Sequence, residues 1–210
     1  MAHIDINQYA TSKKDSIYTT EIKLRPEIRN KIIETIKEGD KQGYTSNIKA
    51  CMTEWNMQNE PGFKELEEEI GDIVRYITEV MYNSVTATPH NIAIGNMWGL
   101  LYTKGDSAKV HAHWPAAWSG VFYLDIPKDD AGALKFPDLD HAVEPETGEL
   151  VIFSGSTKHG VDTIKSSGER LAVSFNYDVI DPENLHGLIG NRGTTFNGGI
   201  PEEATGRILL

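Results

Sequence analysis

The stretch NIAIGNMWGLLYTKGDSAKVHAHWPAAWSGVFYL, residues 91–124, decides the fold class. Its short apolar runs alternate with turn residues, which is the pattern of strands in an antiparallel sheet. Gly105 lies between two of these runs and marks a turn. The pattern continues to about residue 179, at a spacing typical of a jelly-roll sandwich or barrel. The predicted strands are 91–103, 109–113, 119–126, 131–136, 142–144, 149–154, 158–163 and 169–179.

The segment before this stretch carries two helical patterns. Isoleucines recur at every fourth position of the first helix, which is predicted to begin at Pro26 and end at Gly39. The second helix, about Gly62–Tyr82, has an apolar stripe, and its run of glutamates is expected to form a solvated face. A strand is predicted at 17–24, and an extended loop at 44–59.

Helices segregated to one side of an antiparallel sheet make an α+β fold, which is the class predicted here. The helices are expected to brace the outer face of one sheet rather than to form a domain of their own. We therefore predict a single domain over residues 1–210. It divides into an N-terminal helical support at 17–90, a β core at 91–179 and a loop-rich tail at 180–210.

The composition excludes several functions. The chain of 210 residues has 20 Lys and Arg against 31 Asp and Glu, a net charge of −11, which argues against nucleic-acid and anionic-membrane partners. The single cysteine, Cys51, forbids an intrachain disulfide and a zinc site of several thiolates. We see no secretory signal and no apolar run near the roughly 20 residues that span a bilayer. A cytoplasmic protein is expected.

Two of the seven histidines form the alternating pair His111-Ala112-His113. Residues i and i+2 of a strand point to the same face, so two imidazoles would emerge side by side and could begin a metal site. His159 follows on a later strand. Arg170 opens the last strand on its polar face, and a buried arginine needs an anion because an unpaired buried charge is very costly. A carboxylate of the protein itself would also satisfy Arg170.

The order and spacing of these residues resemble the Fe(II)- and 2-oxoglutarate-dependent oxygenases, in their prolyl-hydroxylase-like branch. The resemblance covers about residues 91–179. A little-characterised microbial and phage subgroup of that branch carries H-x-H followed by S-G-V-x-Y-L. The matching elements here are Tyr102-x-x-Gly105, His111-x-His113, S-G-V-x-Y-L at 119–124, P-x-x-G-E-L-V-I-F at 145–153, His159 and G-E-R at 168–170.

This resemblance implies a double-stranded β-helix that binds Fe(II), with 2-oxoglutarate as co-substrate, O₂ as oxidant and ascorbate as a supporting reductant. It implies hydroxylation of a protein side chain or a small molecule, with release of succinate and CO₂. A phage-encoded member would work in the host cytoplasm, and a homodimer is one expected assembly. The residues assigned to the site are His111, His113 and His159 for the metal, and Arg170, Tyr123, Tyr102 and Asn176 for the co-substrate.

One position departs from the family's usual pattern, because His113 stands where Asp or Glu is expected. A nearby acid such as Asp106 could supply an oxygen ligand instead. Two further interpretations stay open. A cupin-type metal oxygenase would also use H-x-H, although the acid and the second motif it requires are missing. A non-enzymatic β-sandwich binding module would use tryptophans as stacking platforms, namely Trp98, Trp114 and Trp118.

Overall fold

A computed structural model of the chain describes residues 7–9, 16–39, 47–82 and 91–180. Within these ranges the chain forms two α-helices and twelve β-strands. The helices are α1 (Pro26–Glu38) and α2 (Phe63–Tyr82). The strands are β1 (Asn7–Tyr9), β2 (Ile17–Glu21), β3 (Ile48–Lys49), β4 (Cys51–Met52), β5 (Asn91–Tyr102), β6 (Ser107–His111), β7 (Trp118–Asp125), β8 (Leu134–Phe136), β9 (His141–Val143), β10 (Glu149–Ser154), β11 (His159–Val161) and β12 (Arg170–Ile180).

The strands make two sheets that face each other. The major sheet has seven strands in the order β1-β2-β10-β7-β12-β5-β4, and the minor sheet has five in the order β3-β6-β11-β8-β9. Every neighbouring pair is antiparallel. The predicted α+β class with a double-stranded β-helix core is confirmed.

Both helices pack on the outer face of the major sheet, as predicted. Ile32 and Ile36 of α1 and Leu66 and Ile70 of α2 are almost fully buried in one apolar cluster with outward-facing residues of the sheet. The sheet residues of this cluster include Met97, Leu101, Phe122, Leu150, Ile152, Leu171, Val173 and Phe175. The helices therefore cover one side of the major sheet and leave its other side to face the minor sheet.

The side chains of β12 alternate between the two faces of the major sheet. Leu171, Val173 and Phe175 face the helices, whereas Ala172 packs against residues of the minor sheet. This alternation follows from the period of two in a strand. It was predicted from the sequence, and it directs Arg170 into the space between the sheets.

Three local features differ from the predictions. Strand β6 ends at His111, so His113 lies beyond it in a turn. The predicted loop at 44–59 contains β3 and β4, which pair with β6 and β5, and a 3₁₀ turn at Met57–Asn59. These short strands cover sheet edges whose N–H and C=O groups would otherwise lack partners. Residues 44–46 lie outside the described ranges.

The third difference is Glu67, which was expected on a solvated face of α2. Its side chain is only 6% exposed, and its carboxylate and backbone oxygens accept hydrogen bonds from the Tyr177 hydroxyl at 3.1 and 3.2 Å. The helix packs so closely on β12 that the long tyrosine side chain reaches it. Glu68 and Glu69 are exposed, as predicted.

The helices of the described ranges lack the combination of length and apolar composition needed to cross a membrane. The predicted tail at 180–210 lies, beyond its first residue, outside the described ranges. The proposed division of residues 1–210 into support, core and tail stays a prediction.

Candidate functional site

Three histidines converge between the two sheets. One possible ligand atom from each of His111, His113 and His159 lies within 4.8 Å of those of the other two. The ring centroids of His111 and His159 are 4.5 Å apart, and His113 is 5.0 Å from each. His111 and His159 are cross-strand partners on β6 and β11, so backbone pairing places them side by side.

His113 reaches the cluster through a turn rather than through strand alternation. Its backbone N–H donates to the Gly155 carbonyl at 2.8 Å, and its carbonyl accepts from the Ala116 N–H at 2.9 Å. The first bond holds the segment after β6 against the segment after β10, and the second closes a turn within the segment after β6. The two imidazoles of the H-x-H pair thus lie together, as predicted, by a different geometry.

The hydrogen bonds of the rings leave one nitrogen of each histidine free. Nδ1 of His111 lies 2.7 Å from the Lys109 carbonyl, and Nδ1 of His159 lies 3.0 Å from the Thr157 carbonyl. A carbonyl oxygen can only accept, so each Nδ1 carries the proton and each Nε2 keeps its lone pair. Nδ1 of His113 similarly meets the Asn176 side-chain oxygen at 2.6 Å.

Burial keeps two of these imidazoles neutral at physiological pH. It lowers the pKa of His113 to about 4 and that of His159 to about 3. The Asn176 hydrogen bond partly opposes the shift at His113, and the other histidines reinforce the shift at His159. A metal ligand must be unprotonated, and imidazole is a suitable ligand for iron. The donor set therefore fits a divalent transition metal.

Arg170 is buried between the sheets without a carboxylate partner. It is 1% exposed, and its Nη1 donates to the backbone carbonyls of Ala131, at 2.9 Å, and of Gly132. Its Nε has no hydrogen-bond partner. Across the part of the chain that the structure describes, no Asp or Glu forms an ion pair with it. A structural salt bridge is thus not found among the described residues, and the guanidinium is available to an anionic ligand.

Two buried tyrosines flank this guanidinium. The Arg170 carbon Cζ lies 5.3 Å from the ring centre of Tyr102 and 5.1 Å from that of Tyr123. Burial raises the pKa of Tyr102 to about 12 and raises that of Tyr123 further, although the Arg170 charge opposes both shifts. Both hydroxyls therefore stay protonated and can donate, and that of Tyr123 is buried beside the Arg170 guanidinium.

The histidine cluster and Arg170 line one cavity. Most of its wall is apolar, with Trp98, Leu100, Leu134 and Phe153 among the lining residues. A cavity with a few convergent polar groups on apolar walls is typical of small-molecule sites. Tyr102 lines this cavity together with Arg170, whereas Tyr123 flanks Arg170 and is not among the lining residues. The Arg170 Nε, which has no hydrogen-bond partner, suits an anionic ligand.

The other candidates occupy different surroundings. Asp106 is outside the histidine cluster, because its carboxylate accepts from the Thr103 N–H and hydroxyl at 2.8 and 3.0 Å. Trp98 is buried in the cavity wall and Trp118 in the core against the helices, whereas Trp114 is 77% exposed. His3, His90 and His186 fall outside the described residues.

Asn176 lies beside His113, six strand positions from Arg170, which is about 20 Å along an extended strand. Its predicted contact with the co-substrate stays a prediction.

The sequence did not predict the roles of Ser119 and Asn96, whose side chains form hydrogen bonds with Asn176. It also missed the Ala131 and Gly132 carbonyls, since backbone acceptors leave no mark in residue types. Only Ser119 could have been predicted, because it belongs to the quoted S-G-V motif and its position in the strand is known from the alternation.

A family model described as "Putative 2OG-Fe(II) oxygenase" matches residues 96–144. The matched segment includes Tyr102, His111, His113 and Tyr123. None of the curated proteins compared matches the sequence.

Several solved structures share the fold. The viral collagen prolyl hydroxylase of Paramecium Bursaria Chlorella virus-1 superposes with a TM-score of 0.59 and 18% identity, over 77% of this chain and 94% of that one. A Pseudomonas putida prolyl-4-hydroxylase gives 0.57 and 17%, over 79% and 93%. The epimerase SnoN from nogalamycin biosynthesis, non-heme and alpha-ketoglutarate-dependent, gives 0.61 and 13%, over 90% and 89%. At these identities the likeness establishes the fold.

Proposed function

We propose that this chain, a 2-oxoglutarate- and Fe(II)-dependent oxygenase by its matched family segment and its fold, hydroxylates a C–H bond of a protein side chain or a small molecule. The matched oxygenase segment and the fold support Fe(II), 2-oxoglutarate and O₂ as the reactants, and they favour the oxygenase prediction over the non-enzymatic alternative. The match to this oxygenase model likewise favours it over a cupin-type site. The names of two structural neighbours, both prolyl hydroxylases, support hydroxylation.

The observation that carries the proposal is the buried guanidinium of Arg170 without a carboxylate partner, in the same cavity as three histidines with free ring nitrogens. A buried unpaired charge is costly unless a ligand neutralises it. A dicarboxylate that binds the metal at one end would supply that charge at its other end. Neither feature alone would indicate this co-substrate.

Each residue then has a distinct part in the mechanism. The Nε2 lone pairs of His111, His113 and His159 would hold the iron, and His113 takes the place of the usual carboxylate. Arg170 would donate a charge-assisted pair of hydrogen bonds to the distal carboxylate of 2-oxoglutarate. Tyr102 and Tyr123 would donate further hydrogen bonds to it.

The cavity wall keeps the site dry and ordered. Trp98, Leu134 and Phe153 present apolar surface around the polar groups, which excludes water and strengthens the electrostatic contacts within. When bound, Fe(II) and 2-oxoglutarate supply the oxidation of a C–H bond by O₂, with release of succinate and CO₂. The chain orients the reactants and protects the site.

Product analysis tests the proposed reaction. The protein is incubated with Fe(II), ascorbate and 2-oxoglutarate in air, once with a pool of peptides and once with a pool of small metabolites. A product that has gained one oxygen atom, and that is absent with an Arg170→Ala variant, is expected in one pool. Consumption of a substrate to products without added oxygen, for example desaturated or epimerised ones, would contradict hydroxylation.

The assembly and the compartment complete the proposal. We place the protein in the cytoplasm, or in the host cytoplasm if a phage encodes it, and propose a homodimer. Sedimentation velocity at micromolar concentration tests the assembly, and a single species with the mass of one chain would contradict it.

A further inference from the structure

The third histidine of the cluster has a hydrogen-bond partner of a different kind from the other two. His111 and His159 donate to backbone carbonyls two residues before each of them, at Lys109 and Thr157. His113 lies beyond the end of β6 and meets the Asn176 side-chain oxygen instead, at 2.6 Å. Its partner comes from β12, 63 residues further along the chain.

A row of polar side chains across three strands holds this amide. The strand register places Asn176 of β12 opposite Asn96 of β5 and opposite Ser119 of β7. The Ser119 hydroxyl donates to the Asn176 oxygen at 2.6 Å, and the Asn176 amide nitrogen donates to the Asn96 oxygen at 2.7 Å. The Asn176 amide nitrogen therefore faces Asn96, and the Asn176 amide oxygen faces Ser119 and His113.

The row lies on the face of the major sheet opposite the helices. The next residues of β12 on either side, Phe175 and Tyr177, point the other way into the apolar cluster under the helices, and Ser119 is fully buried. A register shift of the β12–β5 pair falls between Asn176 and Tyr177. Such bulges re-aim side chains next to functional sites. Buried polar groups need partners, and a fully satisfied row rigidifies the side chain at its end.

We propose that Asn176 is a positioning residue that fixes the ring orientation and the tautomer of His113 for metal binding. The amide oxygen can only accept, so Nδ1 of His113 carries the proton and Nε2 turns its lone pair to the other two histidines. Partners of metal ligands act in this way in general, and their loss typically weakens metal binding about 10- to 100-fold. The inference rests on the proposed function, because it requires that the histidines bind the metal.

Co(II) titration followed by visible absorption tests this without turnover. Asn176→Ala removes the acceptor and is expected to weaken Co(II) binding by about 10- to 100-fold. Asn176→Asp keeps an acceptor at this position and is expected to restore wild-type binding or exceed it. Ser119→Ala removes only one hydrogen bond to the same oxygen and leaves the one from His113. Its loss of Co(II) affinity is therefore expected to be smaller than that of Asn176→Ala.

The imidazole ¹⁵N spectrum of the metal-free protein gives a second readout that a loss of stability alone would not produce. Wild type should show His113 as a single tautomer protonated at Nδ1, and Asn176→Ala should show a mixture of tautomers. Thermal unfolding verifies that each variant is folded. If Asn176→Ala does not fold, Asn176→Asp provides the comparison with wild type.

The possible outcomes distinguish the positioning role of Asn176 from the metal site itself. Equal Co(II) affinity and an unchanged His113 tautomer in Asn176→Ala would overturn the positioning role while leaving the metal site intact. Failure of the wild-type chain to bind Co(II) would overturn the proposed metal site and this inference with it. Tight binding by wild type, weak binding by Ala and recovery by Asp would support both.

Discussion

His111 and His159 lie directly opposite each other on β6 and β11, with ring centroids 4.5 Å apart. The backbone ladder of the minor sheet therefore sets the spacing of two of the three histidines. The pairing fixes the backbone positions, and the hydrogen bonds of Nδ1 to the Lys109 and Thr157 carbonyls orient the two rings. The third histidine, His113, reaches the candidate metal centre from beyond the end of β6.

Removal of one of these rings should abolish tight metal binding. His159→Ala deletes a ligand, so we expect Co(II) affinity to fall by more than the about 10- to 100-fold typical of outer-shell changes. Visible absorption titration at pH 7 measures it. His141→Gln is the matched control, since His141 stacks on Phe136 outside the cluster. Wild-type affinity in His159→Ala would refute the assignment of this ligand.

Changes at Arg170 should act on the co-substrate and not on the metal. Arg170→Lys keeps the charge but loses the planar fork, and we expect KM for 2-oxoglutarate to rise about 10- to 100-fold, the equivalent of one charge-assisted hydrogen bond. Co(II) affinity should stay unchanged. Lys128→Ala, which removes an exposed cation, should alter neither quantity. An unchanged KM in Arg170→Lys would argue against the proposed carboxylate contact.

The backbone at Gly132 supports Arg170, and a methyl group there should disturb it. Gly132 has φ of +76°, and a Cβ would lie 2.5 Å from the Asp162 carbonyl oxygen. Gly132→Ala should destabilise the fold by about 1–3 kcal/mol and raise KM for 2-oxoglutarate. Gly148→Ala is the matched control, because its φ is +91° but its Cβ would lie 3.5 Å from the nearest atom, the Ile22 carbonyl oxygen.

Urea unfolding gives the stability of both glycine variants. Gly148→Ala should show the cost of the positive φ alone and a wild-type KM. If Gly132→Ala kept the wild-type KM despite its loss of stability, the carbonyls that hold Arg170 would not govern co-substrate binding.

Glu149 should make the protein less stable as the pH rises. Burial raises the pKa of its carboxyl to about 7 from an ordinary 4.5. The folded state therefore binds a proton that the unfolded state has released between these values, so the free energy of unfolding falls across this window. Below it the group is protonated in both states and costs nothing. Glu149→Gln removes this penalty and should gain stability over wild type from pH 4.5 to pH 7.

Thermal unfolding of Glu149→Gln and wild type at pH 5 and pH 8 measures this difference. The partly exposed position of Glu149 limits the size of this difference, since solvent screens the charge. Glu144→Gln, at an exposed carboxylate of the same segment, should show no such trend. A Glu149→Gln advantage that is equal at both pH values would contradict the raised pKa.

The parts of the site that could be predicted are those marked by residue type and strand phase. Imidazole and guanidinium groups have specific chemistry, which marked the H-x-H pair, His159 and Arg170. The apolar residues Leu171, Val173 and Phe175 showed the alternation of β12. The turn after β6 could not be predicted. It depends on the bond from His113 to the Gly155 carbonyl, 42 residues away, which no local pattern records.

Long-range contacts explain the remaining gaps as well. Glu67 is buried because Tyr177 reaches it from a strand 110 residues away. Asn176 lies in phase with Arg170, and that phase alone pointed to the co-substrate pocket. Its hydrogen bonds with His113, Ser119 and Asn96 depend on the register of three strands, and a sequence does not specify that register.

The most direct test of the central claim is the formation of succinate from 2-oxoglutarate. The purified protein is incubated in air with Fe(II), ascorbate and 2-oxoglutarate, and succinate is quantified against a His159→Ala, Arg170→Ala double variant that is verified to be folded. Wild type should form succinate in an Fe(II)-dependent manner, and the double variant should form none above the protein-free background. Equal succinate formation by both proteins would show that the histidine cluster and Arg170 are not the oxygenase site.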